Sequence, residues 1–528
     1  MRKVIMSLAI SIIFLGGVAQ ASVCPTSNVI QDPADFLWTA QNGYWTGTLE
    51  FGEATLAIGA DTLTTRAYRQ AGGTYSIPGP TIRITPGQTY VLTLKNLLPY
   101  AAPSTVENDF KDPNITNLHT HGLHVSPMSP GDDVLRLING RYCGDYVYSV
   151  QADHMGGTLW YHPHHHGATF LQVSGGAYGL LLVDDSNDGI PSGVAGMTER
   201  QLVVGFLDPT VAGTGGDTIV SGTLSPTWAV NGKVQGNLCT TANEWQHWRL
   251  LLADADAMEK TVSVGAGCEV ALLARDGVWR TTAPLLLPEN SLDLTGASRA
   301  DLAVRCSADS NITVNGTVVA QVYADATQPA DLTVGPYSNG ASGATWSAVR
   351  PAYLRDLRGE PSVEQRSVSM GARSINGEKF DMHVPTFTIP AGYVQEWNVK
   401  ANAHPFHLHV YHFQMNGASG QFEDGEYYDT LAGSGYVRFD LNPATSTVFD
   451  GTTIMHCHIL DHEDQGAMGW SDVIGGFGPP LFPAPGYSEL YQCGIIEQTD
   501  CSMYLDRNSC RSDPACTWNG KSDTCANL

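Results

Sequence analysis

Four short stretches constrain this chain more than any other feature. They are NLHTHGLH (His119, His121, His124), WYHPHHHG (His162, His164, His165, His166), HPFHLH (His404, His407, His409) and MHCHILDHED (His456, His458 and His462 around Cys457). Each holds an H-x-H pair. On a strand, residues i and i+2 point to the same face about 6.6 Å apart, so one pair can grip a metal ion or a close metal cluster from one side. A single pair reads equally well as a surface or core feature. Four pairs split between the first and last thirds of the chain read as a joint metal site. They demand a fold that brings those thirds together.

The HCH triplet separates two kinds of site. Strand alternation sends His456 and His458 to one face and Cys457 to the other, so Cys457 binds a different ion from its neighbours. A single thiolate with two imidazoles is the ligand set of a blue copper electron-transfer centre, and His404 and His462 are its natural imidazole partners. Structural zinc closes four protein ligands and gains nothing from a covalent link to a second cluster. The pattern points to single-electron collection at one copper and multi-electron reduction of a small molecule at the adjacent cluster.

The rest of the chain has the texture of sheets. Helical periodicity is scarce, while short β-branched or alternating runs such as TIRITPGQTYVLTLKNL, HWRLLLADAD and NITVNGTVVAQVYAD recur between Gly, Pro, Asn and Asp. This predicts packed antiparallel sandwiches rather than βαβ units. At 528 residues, several domains fit better than one core. GPTIRITPGQTYVLTLKN (79–96) and PTFTIPAGYVQEWNVK (385–400) both run strand, turn, strand before a histidine cluster, and read as equivalent strands of duplicated domains. The region 197–350 has similar texture but one histidine, His247. Breaks at SNDGIPSG and RDLRGEPS divide the chain into 22–195, 196–355 and 356–488, followed by a Cys-rich tail, 489–528.

Residues 1–21, with basic residues at 2 and 3, an apolar run and small residues ending at Ala21, read as a cleaved secretory signal. The chain is therefore expected to be secreted or periplasmic, without stable membrane insertion. Of eleven cysteines, five (Cys493, Cys501, Cys510, Cys516, Cys525) crowd the last 36 residues. With Cys457 set aside for chemistry, ten remain, an even number that permits full pairing in an oxidising compartment. Lys plus Arg is 28 against Asp plus Glu 52, a net charge of -24, which argues against nucleic acid as a general partner.

The four stretches, in order, match H-x-H-G, H-x-H, H-P-x-H-x-H and H-C-H-x-x-x-H, and so resemble the copper-binding motifs of the multicopper oxidases. The acidic pair that continues HCHILDHED makes them more similar to the bacterial laccase and copper-efflux-oxidase branch. The resemblance covers nearly the whole chain after the signal and is weak in the middle region. It implies an all-β chain of three cupredoxin-like Greek-key β-sandwich domains with a short Cys-rich tail. It also implies four copper ions: a type 1 ion on His404, Cys457 and His462, a type 2 ion on His119 and His407, and a type 3 pair on His121, His162, His164, His409, His456 and His458. The partners would be a small-molecule electron donor and dioxygen, reduced to water at the trinuclear site. The oligomeric state is left open.

Three residues carry further expectations. Glu463 resembles the acidic residue that helps deliver protons to oxygen in bacterial relatives. The position five after His462, where the family places Met, Leu or Phe, is Ala467 here. Either Met468 approaches the copper as its axial ligand, in which case Met468→Leu raises the potential, or the axial site is lined by a methyl group. His124, His165 and His166 lie beyond the motifs and are expected to support the ligands. The reading is a laccase-type oxidase of phenolic or related aromatic donors. Twelve methionines with no Met-rich run argue against a specialised cuprous oxidase. Ferroxidase, cuprous oxidase and bilirubin oxidase activities are the alternatives, with a non-enzymatic copper buffer or a two-domain nitrite reductase further off.

Overall fold

The computed structural model describes residues 23–336, 346, 348–361 and 363–493, together with the backbone of the strands Cys516–Asn519 and Thr524–Asn527. Residues 1–21, read from sequence as a secretory signal, and most of the Cys-rich tail lie outside the described residues. The alternating runs form strands throughout, and the longest helix among the described residues is the six-residue Thr169–Ser174.

Three pairs of sheets follow one another along the chain. In the first, Trp45–Ile58, Asp61–Gln70, Thr89–Asn96 and Tyr142–Ser149 lie against a sheet of Ile82–Ile84, Gly179–Val183, Gly157–His162 and His119–His121. The middle pair centres on Trp245–Ala253 and Arg299–Cys306 in one sheet, and on Ser310–Val314 and Thr317–Asp325 in the other. The last packs Val363–Gly371, Val394–Lys400 and Ser434–Asp440 against Phe387–Pro390, Met468–Ile474, Gly451–Cys457 and Phe406–Leu408. Each core is built by inward residues of both sheets, as a sandwich requires.

The sheets are mixed rather than purely antiparallel, which differs from the sequence expectation. Trp45–Ile58 runs parallel to Thr89–Asn96, Thr198–Leu207 to Trp245–Ala253, and Val363–Gly371 to Val394–Lys400. In the first and last sandwiches the cause is the strand–turn–strand unit found in sequence. Its first strand (Ile82–Ile84 or Phe387–Pro390) edges the histidine-bearing sheet, and its second (Thr89–Asn96 or Val394–Lys400) crosses to the facing sheet. The chain thus re-enters that sheet in its original direction.

Two devices hold the sandwiches together. Tyr491–Gln492 pairs with Cys143 and Tyr142, Cys493 is disulfide-bonded to Cys143, and Ser488 exchanges backbone and side-chain hydrogen bonds with Asp145. The chain leaving the last sandwich is therefore strapped to the first. Cys24–Cys239 and Cys268–Cys306 are the other disulfides among the described residues, and Cys457 is free and buried. The second device is Arg249, a nearly buried cation that donates to Asp185 and Glu199 at 2.6 Å and to Asp301 at 3.1 Å. Removing one partner of such a network strands buried charge. Arg249→Met is expected to cost about 3–5 kcal/mol in denaturant unfolding; a loss below about 1 kcal/mol would mean that Arg249 does not tie the sandwiches together.

Candidate metal centres

The histidine-bearing sheets of the first and last sandwiches bring their histidines together. His119 pairs in register with His162, and His407 with His456. Across the seam His119 stacks on His409 and His121 on His407, each with ring centroids 3.8 Å apart. The i, i+2 spacing works as the strand geometry requires, each H-x-H presenting both rings to the seam.

The ligand atoms converge in groups. Those of His119, His121 and His407, of His121, His162 and His458, and of His164, His409 and His456 each lie within 4.8 Å of one another, and all these residues are buried. The rings are oriented by their other nitrogen. His119 Nδ1 is 2.7 Å from Asp132 Oδ2, His407 Nδ1 donates to the Asp429 carbonyl at 2.7 Å, and His162 Nδ1 to the Pro163 carbonyl at 2.8 Å. This leaves Nε2 of His119, His162, His407 and His409, and Nδ1 of His121, buried without a hydrogen-bond partner. Buried polar atoms are rarely left so. Burial first, and then the neighbouring imidazoles, hold most of these rings far below the ordinary histidine range. His162 is pushed down to about 3 and His456 to about 4. Neutral imidazoles with converging lone pairs are what a metal cluster needs.

Cys457 faces the other way, into the core of the last sandwich. Its Sγ lies 3.6 Å from His404 Nδ1 and 3.7 Å from His462 Nδ1, and those nitrogens are 3.1 Å apart. A point roughly 2 Å from all three exists at the centre of this triangle, which is a metal–ligand distance. Burial pushes the Cys457 thiol up to about 12, so a thiolate here calls for a cation beside it. Both centres fit copper by donor set and geometry. His404 and His462 are only partly buried, so their edges reach the surface while the eight-histidine cluster is sealed.

Glu463 is fully buried, with Oε1 3.5 Å from His164 Nδ1 and Oε2 3.3 Å from His456 Nδ1. Thr169 Oγ1 donates to it at 3.1 Å. Burial, and then Asp464, raise its carboxyl well above the usual range. Asp464 accepts from the backbone N–H of Gly167 and Phe170, anchoring the turn after HPHHHG. The residues outside the motifs are spoken for by other groups. Both His124 ring nitrogens face the carbonyls of Val410 and Thr447. His165 faces Asp112, and His166 lies 3.1 Å from Asn108 Oδ1.

Met468 does not approach the thiolate, which corrects the expected axial ligand. It stands opposite His456 in register and packs with Val134 and Ile454, on the sheet face away from Cys457. The residue opposite Cys457 is Ala467, whose carbonyl accepts the Cys457 N–H at 2.9 Å and whose methyl shares the Cys457 core. A one-residue step along a strand reverses the face, and here it decides the matter.

Sequence reasoning passed over Asp132, Asp429 and Arg299. Asp132 grips the first H-x-H by accepting from the Thr120 N–H at 2.8 Å while meeting His119, and burial raises its carboxyl to about 7. Nothing in SPGDDV distinguishes it from a turn acid.

Comparisons with known proteins agree with this geometry. Two family models described as multicopper oxidase match residues 69–188 and 354–474, which contain all four histidine stretches. The multicopper oxidase mco of Staphylococcus haemolyticus is 26% identical over 421 residues, covering 74% of this chain and 81% of that protein. A laccase of Bacillus stratosphericus is 24% identical over 464 residues, covering 76% and 89%. The crystal structure of a laccase from Pediococcus acidilactici superposes with a TM-score of 0.64 at 19% identity, covering 87% of this chain and 96% of that one.

The position of Ala467 sets a test on copper-loaded protein. Ala467→Met brings a thioether to the thiolate side and is expected to lower the reduction potential of the thiolate copper. Met468→Leu is expected to leave that potential and the blue absorption unchanged. Spectroelectrochemical titration of both variants decides it, and a shift in Met468→Leu alone would reverse the assignment.

Proposed function

Because the chain belongs to the multicopper oxidase family and is a copper-dependent oxidoreductase using dioxygen as acceptor, we propose that it is laccase-type. In this reading it takes single electrons from phenolic or related aromatic donors. The observation that carries the proposal is the joining of a partly exposed His404–Cys457–His462 triad to a sealed histidine cluster through one peptide. In the assignment we propose, His404, Cys457 and His462 hold type 1 copper, His119 and His407 type 2, and His121, His162, His164, His409, His456 and His458 the type 3 pair. Bound copper would supply one-electron oxidation of a donor at the first site and four-electron reduction of dioxygen to water at the second. The domain limits 22–195, 196–355 and 356–488 and an extracytoplasmic location belong to the same proposal. The disulfides support the location.

The protein's own groups have separable tasks. His404 and His462 offer imidazole edges to a docked donor. The Cys457 backbone is the shortest covalent route to His456 and His458. Glu463 stands against His164 through Oε1, which also accepts from Thr169 Oγ1, and against His456 through Oε2, placed to hold and pass on the protons that water formation consumes. Burial of the cluster keeps bulk water from the reacting groups.

A metallo-oxidase is the second reading, and one observation favours it. The carboxylates of Asp461 and Asp256 lie close enough to act on the charge of His462, with the Arg373 guanidinium opposing them. Leu460 N–H bonds the Ala255 carbonyl, which seats that acidic loop beside the triad. A cationic donor such as Fe(II) or Cu(I) would be drawn to this rim.

Oxygen uptake by fully copper-loaded protein with a phenol, Fe(II) and Cu(I) in parallel separates the two. The laccase reading expects turnover of the phenol at least comparable to that of the metal ions; uptake with the metal ions and none with the phenol would replace it by the metallo-oxidase. Glu463→Gln is expected to slow oxygen reduction by about 100-fold with the blue absorption intact. An unaltered turnover rate would remove Glu463 from the proton route.

A further inference from the structure

The middle sandwich supplies none of the histidines in the metal-ligating groups, yet one of its residues reaches the cluster. Arg299 begins the strand Arg299–Cys306 and is fully buried. All five of its N–H donors are used. Nε donates to the Thr158 carbonyl at 3.2 Å, Nη1 to the Ala297 carbonyl and to Asp429 Oδ1 at 3.0 Å each, and Nη2 to the Asp276 carbonyl at 3.0 Å and to Asp429 Oδ2 at 2.5 Å. The guanidinium thus grips Asp429 as a two-point fork, the strongest geometry this pair has.

Asp429, from the last sandwich, is itself a junction. Its Oδ1 lies 3.3 Å from His121 Nε2 in the first sandwich, and its carbonyl accepts the His407 Nδ1–H at 2.7 Å. Thr430 Oγ1 donates to Oδ1 at 3.1 Å, and His412 Nε2 stands 3.6 Å from Oδ2. An ionised carboxylate only accepts, so the His121 proton sits on Nε2 and its lone pair on Nδ1, the atom that is buried without a partner. His407 is fixed the opposite way round, with Nε2 free. The two rings stack at 3.8 Å, so one residue sets the orientation of both members of a stacked pair drawn from two sandwiches.

Gly122 fits the same arrangement. At φ +89° it adopts a conformation side chains rarely take, and a Cβ there would come within 2.8 Å of both Arg299 Nη2 and Leu159 Cδ2 and 3.0 Å of Asp429 Oδ2. The glycine that ends the first H-x-H-G motif makes room for this ion pair.

We propose that Arg299 and Asp429 are a positioning pair, by which the middle sandwich fixes the tautomer and ring orientation of His121 and His407 and so the geometry of the trinuclear site. This rests on the copper reading of the buried histidine cluster. Partners that orient metal-bound histidines typically matter 10–100-fold in metal affinity.

The test uses the full-length, copper-loaded protein. Asp429→Asn is close in shape but turns one acceptor into a donor, which then faces either the guanidinium or His121 Nε2–H. Arg299→Lys removes the fork and keeps the charge. Each is dialysed against graded chelator, with copper per chain and the blue absorption of the Cys457 site measured together. The proposal expects copper of the buried cluster to be lost at about 10- to 100-fold lower chelator, while blue absorption persists and the type 2 electron paramagnetic signal changes shape. Gly122→Ala, which pushes on the pair from outside without removing charge, is expected to show the same selective loss should either charge variant fail to fold. Retention of all copper at parental chelator levels with an unchanged type 2 signal, in any folded variant of the pair, would overturn it. A parental protein that binds copper at Cys457 alone would instead overturn the cluster reading beneath it, and the pair with it.

Discussion

Eight buried imidazoles packed into a seam between two sandwiches are the arrangement on which the rest of the structure depends. Buried polar atoms without partners are costly, of order 1–3 kcal/mol each, and at least five ring nitrogens in this seam have none within the protein. Bound metal would offset that cost. The fold prepares for it by using the second nitrogen of several rings on carbonyls and carboxylates, so that the free lone pairs point inward. The sheet register, the strap from the last sandwich to the first, and the buried ion pairs of the middle sandwich all keep the two halves of the seam aligned.

The two centres differ in exposure although one peptide joins them. His456 and His458 are sealed, whereas His404 and His462 are partly open. Alternation at Cys457 puts a soft thiolate donor on the outer side and borderline imidazoles on the inner side without any loop to connect them. Acids of different kinds surround the pair: Asp132 and Asp429 meet ring nitrogens, Asp464 anchors a turn, and Glu463 faces His164 and His456. Charge at the rim, from Asp256 and Asp461, is a separate matter that bears on the donor.

What could be read from sequence was what local geometry dictates. The period of two in a strand made the opposite facing of Cys457 and its histidine neighbours legible, and repetition of H-x-H made the joint site legible. The equivalence of 79–96 and 385–400 was legible because both are strand–turn–strand, although their crossing between sheets, and hence the parallel pairs, was not. Met468 shows the limit most sharply. The family resemblance favoured a methionine, but a single step along the strand places it on the wrong face, and only the register Cys457–Ala467 reveals that. Asp132, Asp429 and Arg299 had no spacing to announce them, because they act through contacts 13 to 308 residues away along the chain. Arg299, in the region that looked least related to the metal motifs, was the least legible of all.

The central claim is that the fold exists to hold one thiolate copper beside a buried cluster of three. Titrating the metal-free protein with copper while following both blue absorption and thermal unfolding tests it directly. The account predicts saturation at about four copper ions per chain, stabilisation continuing beyond the first ion as linkage requires, and blue absorption that rises with only one of them. Saturation after a single ion, or full binding with no blue absorption, would contradict it.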